Sequence, residues 1–138
     1  MASSLEAGPK PYWRIWHRWI AGTLVERGLI DNEDTSLFRI VDSLDEAVAE
    51  ITGFYRVYHS SRIVGDDLVF RLTRQLEPTQ LADLQDKFGD ILKGPATLEP
   101  GPVPQEQNEF PELPRLILPF DHRSYGRLRQ LIDFVNQF

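Results

Sequence analysis

Residues 55–72 read YRVYHSSRIVGDDLVFRL, and they mark the point where a helical pattern gives way to a strand pattern. Upstream, apolar residues recur at spacings of three and four between Leu44 and Tyr58, which is typical of an amphipathic helix. Downstream, apolar and polar residues alternate from Leu68 to Thr73, which indicates a half-buried strand. The polar residues between the two patterns are dense enough to make this junction the first candidate site.

Working outward, the same patterns predict an α/β fold. Ser43 and Glu46 form a capping box that starts a helix, and Gly28 suits the end of an earlier one. Helices are predicted over residues 12–28, 44–58 and 76–92 and after Ser124, and strands over Leu37–Val41, Leu68–Thr73, Ala96–Glu99 and Arg115–Phe120. Residues 100–114 are predicted to be a loop too poor in apolar residues to enter the core. We therefore expect a small sheet of about four strands covered by helices, with the order β-α-β-β-α in the second half.

Composition limits the class of protein. The 138 residues fit one domain, and the net charge of −6 argues against a broad electrostatic grip on nucleic acid or on an anionic membrane. The absence of Cys fits a cytoplasmic location, and no apolar run approaches the length of a membrane span. Residues 1–11 are predicted to be a short disordered leader.

The polar cluster in residues 55–72 has three interpretations that the sequence leaves open. Its His and Ser side chains can satisfy the final carbonyls of the preceding helix. They can instead join an arginine around a phosphate or carboxylate. A Ser–His–Asp site would need Asp66 or Asp67 to orient the imidazole, and no Gly-x-Ser-x-Gly turn supports it. The candidate anion-binding residues are His59, Ser60, Ser61 and Arg62, with Arg123 and Arg127 as a second basic strip whose alternative is a solvated, ion-paired face.

The three tryptophans of the chain lie close together on the first predicted helix. Trp13, Trp16 and Trp19 predict that this helix docks on a sheet or on another subunit, and an aromatic platform for stacking bases is the alternative. Neither a glycine-rich phosphate loop nor the spacing of a zinc site occurs in the sequence. The sequence therefore predicts no cofactor and no metal.

Several motifs in fixed order resemble a known family. Pro11-Tyr12-Trp13, Gly28-Leu29-Ile30 and VDSLDEAV at 41–48 resemble the end of the Rossmann-like domain of the LOG ("lonely guy") family, long labelled lysine decarboxylase-like. The later motifs resemble the C-terminal extension of a longer, bacterial subgroup: Phe54-Tyr55, YHSSR at 58–62, Val64-Gly65-Asp66, Leu68-Val69, Arg71-Leu72, Phe88, Asp90-Ile91, LPRL at 113–116 and FDHRSYGRLRQLID at 120–133. The resemblance covers nearly everything after residue 10.

This resemblance implies a relative of hydrolases that release the base from a nucleoside 5′-monophosphate. Their Pro-Gly-Gly-x-Gly-Thr-x-x-Glu motif is absent here, so no catalytic residue is carried over. We expect residues 12–62 to be the end of a Rossmann-like domain and residues 63–138 its extension. The expected role is a non-catalytic structural or dimerisation module that binds a second copy, or an N-terminal Rossmann portion, through the tryptophans. The alternatives are a partial sequence of an active phosphoribohydrolase, or a small module that binds a nucleotide or phosphate.

Overall fold

The computed structural model describes residues 9–138, and the surroundings of side chains from residue 12 onward. Within this range the helices and strands follow in the order α1 (Pro9–Arg18), α2 (Leu44–Phe54), β1 (Tyr58–Val64), β2 (Asp67–Leu72), α3 (Pro78–Phe88), β3 (Thr97–Glu99), β4 (Arg115–Leu118) and α4 (Tyr125–Val135). The first helix continues as a π-helix, Trp19–Leu24, and 3-10 turns cover Asn32–Leu37, Gly89–Ile91 and Pro104–Glu106. Residues 1–8 of the expected leader lie outside the described residues, and residues 9–11 belong to α1.

The four strands form one antiparallel sheet in the order β1-β2-β4-β3. One face of this sheet packs on α3 and α4 and carries the hydrophobic core, whose largest apolar members are Phe70, Phe88, Phe120, Leu72, Leu84, Leu116, Leu118 and Leu131. The predicted α/β class, the four-stranded sheet and the β-α-β-β-α order of the second half are confirmed. The predicted boundary between residues 62 and 63 falls inside β1.

Local signals set the ends of the helices largely as predicted. The Ser43 hydroxyl accepts a hydrogen bond from the Glu46 amide at 3.1 Å, and the Glu46 carboxylate reaches back to the Asp42 amide at 2.7 Å. Gly28 adopts a φ of 67° just after the first helix, in the left-handed region that glycine occupies without strain. Pro78 occupies the first turn of α3, where its missing amide proton costs nothing.

Helix α4 begins directly after Ser124, as predicted, but the side-chain cap expected from Ser124 is not formed. Ser124 is the N-terminal boundary residue, but its hydroxyl donates to the Asp121 carboxylate at 2.6 Å instead of capping the helix. Asp121 accepts the backbone amides of Arg123 and Ser124, both at 2.9 Å. Although partial burial raises the pKa of Asp121, the hydrogen bonds from Ser124 and from the two amides outweigh it, and the pKa lies below its ordinary value.

Two further predictions about the N-terminal part are wrong. Leu37–Val41 forms no strand: a 3-10 turn ends at Leu37, and the extended residues after it pair with no neighbouring strand. This short apolar run is used for side-chain packing, because the Phe38 ring contacts Trp16 with a centroid separation of 5.1 Å. Gly53 is the second case: a glycine inside the predicted helix 44–58 indicates a close packing contact, but no atom lies within 4 Å of the position a Cβ would take.

Helix α2 ends earlier than predicted, because another part of the chain satisfies its last carbonyl. The amide nitrogen of the buried Asn136 side chain donates to the Phe54 carbonyl at 2.6 Å. Its oxygen accepts from the backbone amides of Val57 and Tyr58, at 2.8 and 3.0 Å. The interpretation in which His59, Ser60 and Ser61 satisfy the helix end is therefore wrong, and these residues lie in β1.

Replacing Asn136 with Ala is expected to reduce the free energy of unfolding by about 2 kcal/mol. The substitution removes three hydrogen bonds and leaves two amides and a carbonyl without their partner, and unsatisfied buried groups of this kind are costly. Urea denaturation measures the loss. Replacing the exposed neighbour Gln137 with Ala is the control, which should change the stability by less than about 0.5 kcal/mol.

The two N-terminal helices leave an apolar surface uncovered. Helix α2 has no buried residue, and Leu44, Val48 and Ile51 recur along one side of it with more than half of each side chain exposed. Helix α1, taken together with its π-helical continuation Trp19–Leu24, exposes four large apolar residues: Tyr12, Trp13, Ile15 and Trp19. We call these residues, with Tyr55, the apolar helical surface. No helix among the described residues is long and apolar enough to cross a membrane.

Candidate functional site

A bulge in β1 places two of the predicted site residues side by side. The register with β2 shifts between Tyr58 and Ser60, which adds an unpaired residue at His59. The His59 Nδ1 atom lies 2.8 Å from the Ser60 hydroxyl oxygen. Both side chains are partly exposed, at the edge of the sheet.

The strand register then brings polar side chains together on the sheet face opposite the core. Ser60 lies opposite Arg71 on β2, and Arg71 lies opposite Arg115 on β4. Because directly paired residues project from the same face of a sheet, the three side chains form one row across three strands. The Arg71 Nη1 atom donates to the Ser60 hydroxyl at 3.3 Å.

Glu106 from the 100–114 loop inserts between the two arginines. Arg71 Nε lies 3.2 Å from Glu106 Oε1, and Arg115 Nε lies 2.9 Å from Glu106 Oε2. Glu106 and Arg115 are fully buried and Arg71 is 6 % exposed. We call these three residues the buried charge cluster. Residues 100–114 add no residue to the hydrophobic core, as predicted, but this loop supplies a buried carboxylate on the opposite face of the sheet, which was not predicted.

The cluster keeps Glu106 ionised. Burial by itself raises the pKa of the Glu106 carboxyl, but the hydrogen bond and charge of Arg115, the Val103 amide and the hydrogen bond from Arg71 together lower it below the ordinary value. The Glu106 carboxylate accepts the Val103 amide at 3.0 Å, and Arg115 donates to the backbone carbonyls of Glu109, Phe110 and Leu113. The cluster thus fixes the loop on the sheet.

A second carboxylate from the same loop lies at the rim of the cluster. Glu109 Oε2 accepts from Arg71 Nη2 at 2.7 Å and lies 3.5 Å from Arg62 Nη1. The Phe110 ring covers the Arg71 guanidinium at 4.9 Å and touches the His59 ring edge at 4.9 Å between centroids. The geometry suits binding of an anion, since two guanidinium groups converge on one partly exposed position.

The structure brings together only half of the predicted anion-binding residues. His59, Ser60 and Arg62 lie around the cluster. Ser61 accepts a hydrogen bond from the Tyr58 hydroxyl instead. The other two residues, Arg123 and Arg127, have different surroundings.

Arg123, which precedes α4, and Arg127, which lies in α4, contact other groups and do not belong to this site. Arg123 is exposed, and its backbone amide donates to Asp121. Arg127 binds the Lys87 carbonyl at 2.8 Å and the Asp90 carboxylate at 3.0 Å at the end of α3. Its guanidinium lies 4.5 Å from the centroid of the Phe88 ring. These contacts support the ion-paired alternative for Arg127.

A catalytic triad at this site is not formed. His59 and Ser60 are in contact, but Asp66 and Asp67 lie at the hairpin turn, where Asp67 pairs with Val64. Val64 is five positions along the strand from His59, which corresponds to roughly 16 Å. Neither aspartate is therefore placed to orient the imidazole. Within residues 9–138, no group of three or more His, Asp or Glu side chains could hold a metal ion.

Sequence reasoning missed four members of the site: Arg71, Glu106, Glu109 and Arg115. A signal was present in the strands, because Arg71 interrupts a run of apolar residues and Arg115 begins one. Charged side chains on a buried strand require partners. The identity of the partners depends on tertiary packing, since Glu106 is 35 residues from Arg71 in the chain.

Comparison with known proteins leaves the family open. No protein-family model, curated protein or solved structure matches the chain. The resemblance to the LOG family therefore stays a prediction that depends on the ordered motifs alone.

Proposed function

We propose that this chain is a non-catalytic association module, similar to the C-terminal part of a LOG-like nucleoside 5′-monophosphate phosphoribohydrolase, and that it pairs with a second copy of itself. The observation that carries the proposal is the apolar helical surface. A row of exposed Leu44, Val48 and Ile51 along one helix is typical of a contact face, because monomeric proteins rarely leave contiguous apolar patches in water.

Charge complementarity supports a second copy as the partner. Helix α1 contains Arg14, His17 and Arg18 and no acidic residue, whereas α2 contains Asp45, Glu46 and Glu50 and no basic residue. Both helices also expose apolar side chains. In a two-fold dimer, α1 of one copy would lie on α2 of the other, and the same contact would form twice. Within the chain, Arg14 is paired with Asp42, and Glu50 with Arg39 and Arg129. Arg18 on α1 and Asp45 on α2 are therefore the charges that would select this pairing.

The tryptophans of α1 fit this arrangement. Trp13 and Trp19 are about half exposed, and Trp16 packs on Phe38 within its own chain. Large aromatic side chains are enriched at the centres of protein interfaces, where their burial contributes much of the affinity. We therefore place Trp13 and Trp19 at the proposed interface, and Trp16 in the support beneath it.

The proposal predicts a dimer that a single charge disrupts. Ile51→Lys places an ammonium group on the apolar side of α2, and we expect it to convert the protein to a monomer in sedimentation velocity. Ala49→Lys is the matched control: it adds the same charge to the same helix at an exposed position outside the apolar row, and it should leave the dimer intact. A wild-type chain that sediments as a monomer at every concentration would contradict the proposal.

The absence of catalysis is tested separately. The purified chain is incubated with AMP and with CMP, and the released base is measured by chromatography. We expect no release above the rate without protein, because the chain has no Pro-Gly-Gly-x-Gly-Thr motif to hold the phosphate. Turnover that persists through repurification would instead favour the hydrolase alternative.

A further inference from the structure

We propose that Glu109 acts as an internal ligand in an anion site formed by Arg62 and Arg71, and that a small phosphate dianion displaces it. This inference concerns the sheet face opposite the core and is independent of the association proposed for the helices. The ligand class is a terminal phosphate group, either inorganic phosphate or a phosphate monoester.

The two sides of the contact differ in how firmly they are held. The Arg71 side chain is 7 % exposed, and it is fixed by Glu106, by the Ser60 hydroxyl and by the Phe110 ring. The Glu109 side chain is 53 % exposed, and its only ion pairs within the described residues are with Arg71 and Arg62. The carboxylate can therefore leave toward solvent while the guanidinium stays in place, already oriented for another anion.

The charges of the site match a dianion better than the single carboxylate that occupies it. Three guanidinium groups, of Arg62, Arg71 and Arg115, face the two carboxylates of Glu106 and Glu109, which leaves one positive charge. Departure of Glu109 leaves two. A phosphate monoester carries about −1.5 to −2 charges at neutral pH and has three acceptor oxygens. The Ser60 hydroxyl and the His59 imidazole, which lie beside Arg71, can supply further hydrogen bonds.

The backbone around Glu109 is held in an uncommon conformation. Gln107, Asn108 and Phe110 have φ values of 54°, 61° and 46°, in the left-handed region that side chains other than glycine rarely adopt. Residues held in this way store strain that the surrounding contacts must maintain. Because Arg115 holds the backbone carbonyls of Glu109 and Phe110, the loop stays on the sheet, and displacement requires only that the Glu109 side chain turn toward solvent.

Titration with inorganic phosphate tests the proposal in the wild type and three variants. In Glu109→Gln the competing carboxylate is lost, and we expect phosphate to bind about tenfold more tightly than in the wild type. Adding Arg62→Gln to that variant should weaken binding about tenfold, since one charged hydrogen bond is lost. Glu112→Gln removes an exposed carboxylate from the same loop and should bind as the wild type does. Amide chemical shifts of residues 59–62 and 109–110 report the site.

A second set of titrations distinguishes a phosphate monoester from inorganic phosphate as the ligand. Ribose 5-phosphate and acetate are titrated into Glu109→Gln alongside inorganic phosphate. Tighter binding of ribose 5-phosphate assigns the site to a phosphate monoester, and equal binding assigns it to inorganic phosphate; either result supports the proposal. Acetate that binds as well as phosphate would overturn the dianion assignment. Equal phosphate affinity of wild type and Glu109→Gln, or shifts confined to other residues, would overturn the site.

Discussion

Replacing Glu106 with Gln is expected to destabilise the protein by about 3–5 kcal/mol, the cost of removing one partner from a buried ion pair. The carboxylate lies between two guanidinium groups that remain buried after the substitution. Arg115 has no access to water, so its charge would lose the counterion nearest to it. The side-chain amide of Gln has nearly the same size, but its NH2 group is a hydrogen-bond donor and would face the N–H donors of an arginine. The hydrogen bond that the carboxylate oxygen accepted at that position is therefore lost.

The matched control for this variant is Glu112→Gln. Glu112 belongs to the same loop but is exposed, so its substitution should change the free energy of unfolding by less than about 0.5 kcal/mol. Denaturation in urea at neutral pH gives both values. Equal stability of the two variants would show that Glu106 carries no net stabilisation, and that the arginines find another partner.

The pH dependence provides a second measurement of the same carboxylate. Its pKa is lower in the folded protein than the ordinary value of 4.5, so the unfolded chain binds the proton more tightly. Glu106 therefore stabilises the fold fully above about pH 4.5, and this stabilisation is lost as the pH falls through the folded pKa. The stability difference between wild type and Glu106→Gln should be constant above this range and shrink below it. Asp121 adds to the acid sensitivity of both proteins, and subtraction removes its contribution.

Periodicity was sufficient to predict the elements that bury one continuous face. Helices α3 and α4 and strands β2 and β4 each present an apolar stripe or an apolar run, and all four pack into one core. Strand β1 was missed because Tyr55 and Tyr58 extend the helical spacing of α2. The residues that follow, from His59 to Arg62, are polar on both faces, as an edge strand with a bulge permits. The sequence from His59 to Arg62 therefore shows no alternation of apolar and polar residues from which a strand could be predicted.

The candidate site was only partly predictable for a related reason. His59, Ser60 and Arg62 stood out because they are adjacent in the chain, and two of them converge through local geometry alone. Glu106 and Glu109 come from a proline-rich loop whose composition indicates exposure. Only the pairing of β2 with β4 creates the two buried arginines that draw this loop inward.

Replacing Gly126 with Ala is expected to detach the N-terminal helices from the rest of the fold. The expected loss in the free energy of unfolding is about 3 kcal/mol, which is at the upper end of the range for overpacked sites. Gly126 is buried in the first turn of α4, and a Cβ there would overlap the backbone of Glu33 and Asp34. Backbone atoms cannot turn aside as a flexible side chain can, so the 3-10 turn Asn32–Leu37 must move. Helix α2 has no buried residue, and its other links to α4 and the residue after it include the pair of Arg129 with Glu50 at 2.9 Å and the bond from Asn136 to the Phe54 carbonyl at 2.6 Å.

Two probes distinguish separation from general unfolding. All three tryptophans lie between residues 13 and 19, so tryptophan emission reports the N-terminal helices. Amide protons of β2 and β4 report the sheet through hydrogen exchange. In Gly126→Ala the emission should change at a lower denaturant concentration than the sheet unfolds. Gly53→Ala is the control: Gly53 is the next-to-last residue of α2, a Cβ there has no neighbour within 4 Å, and the substitution should stabilise that helix by at most about 1 kcal/mol. The contradicting result would be that, in Gly126→Ala, the tryptophan emission and the sheet change at the same denaturant concentration, and that this concentration equals that of the wild type. The 3-10 turn would then move aside without cost, and it would not be what attaches the N-terminal helices.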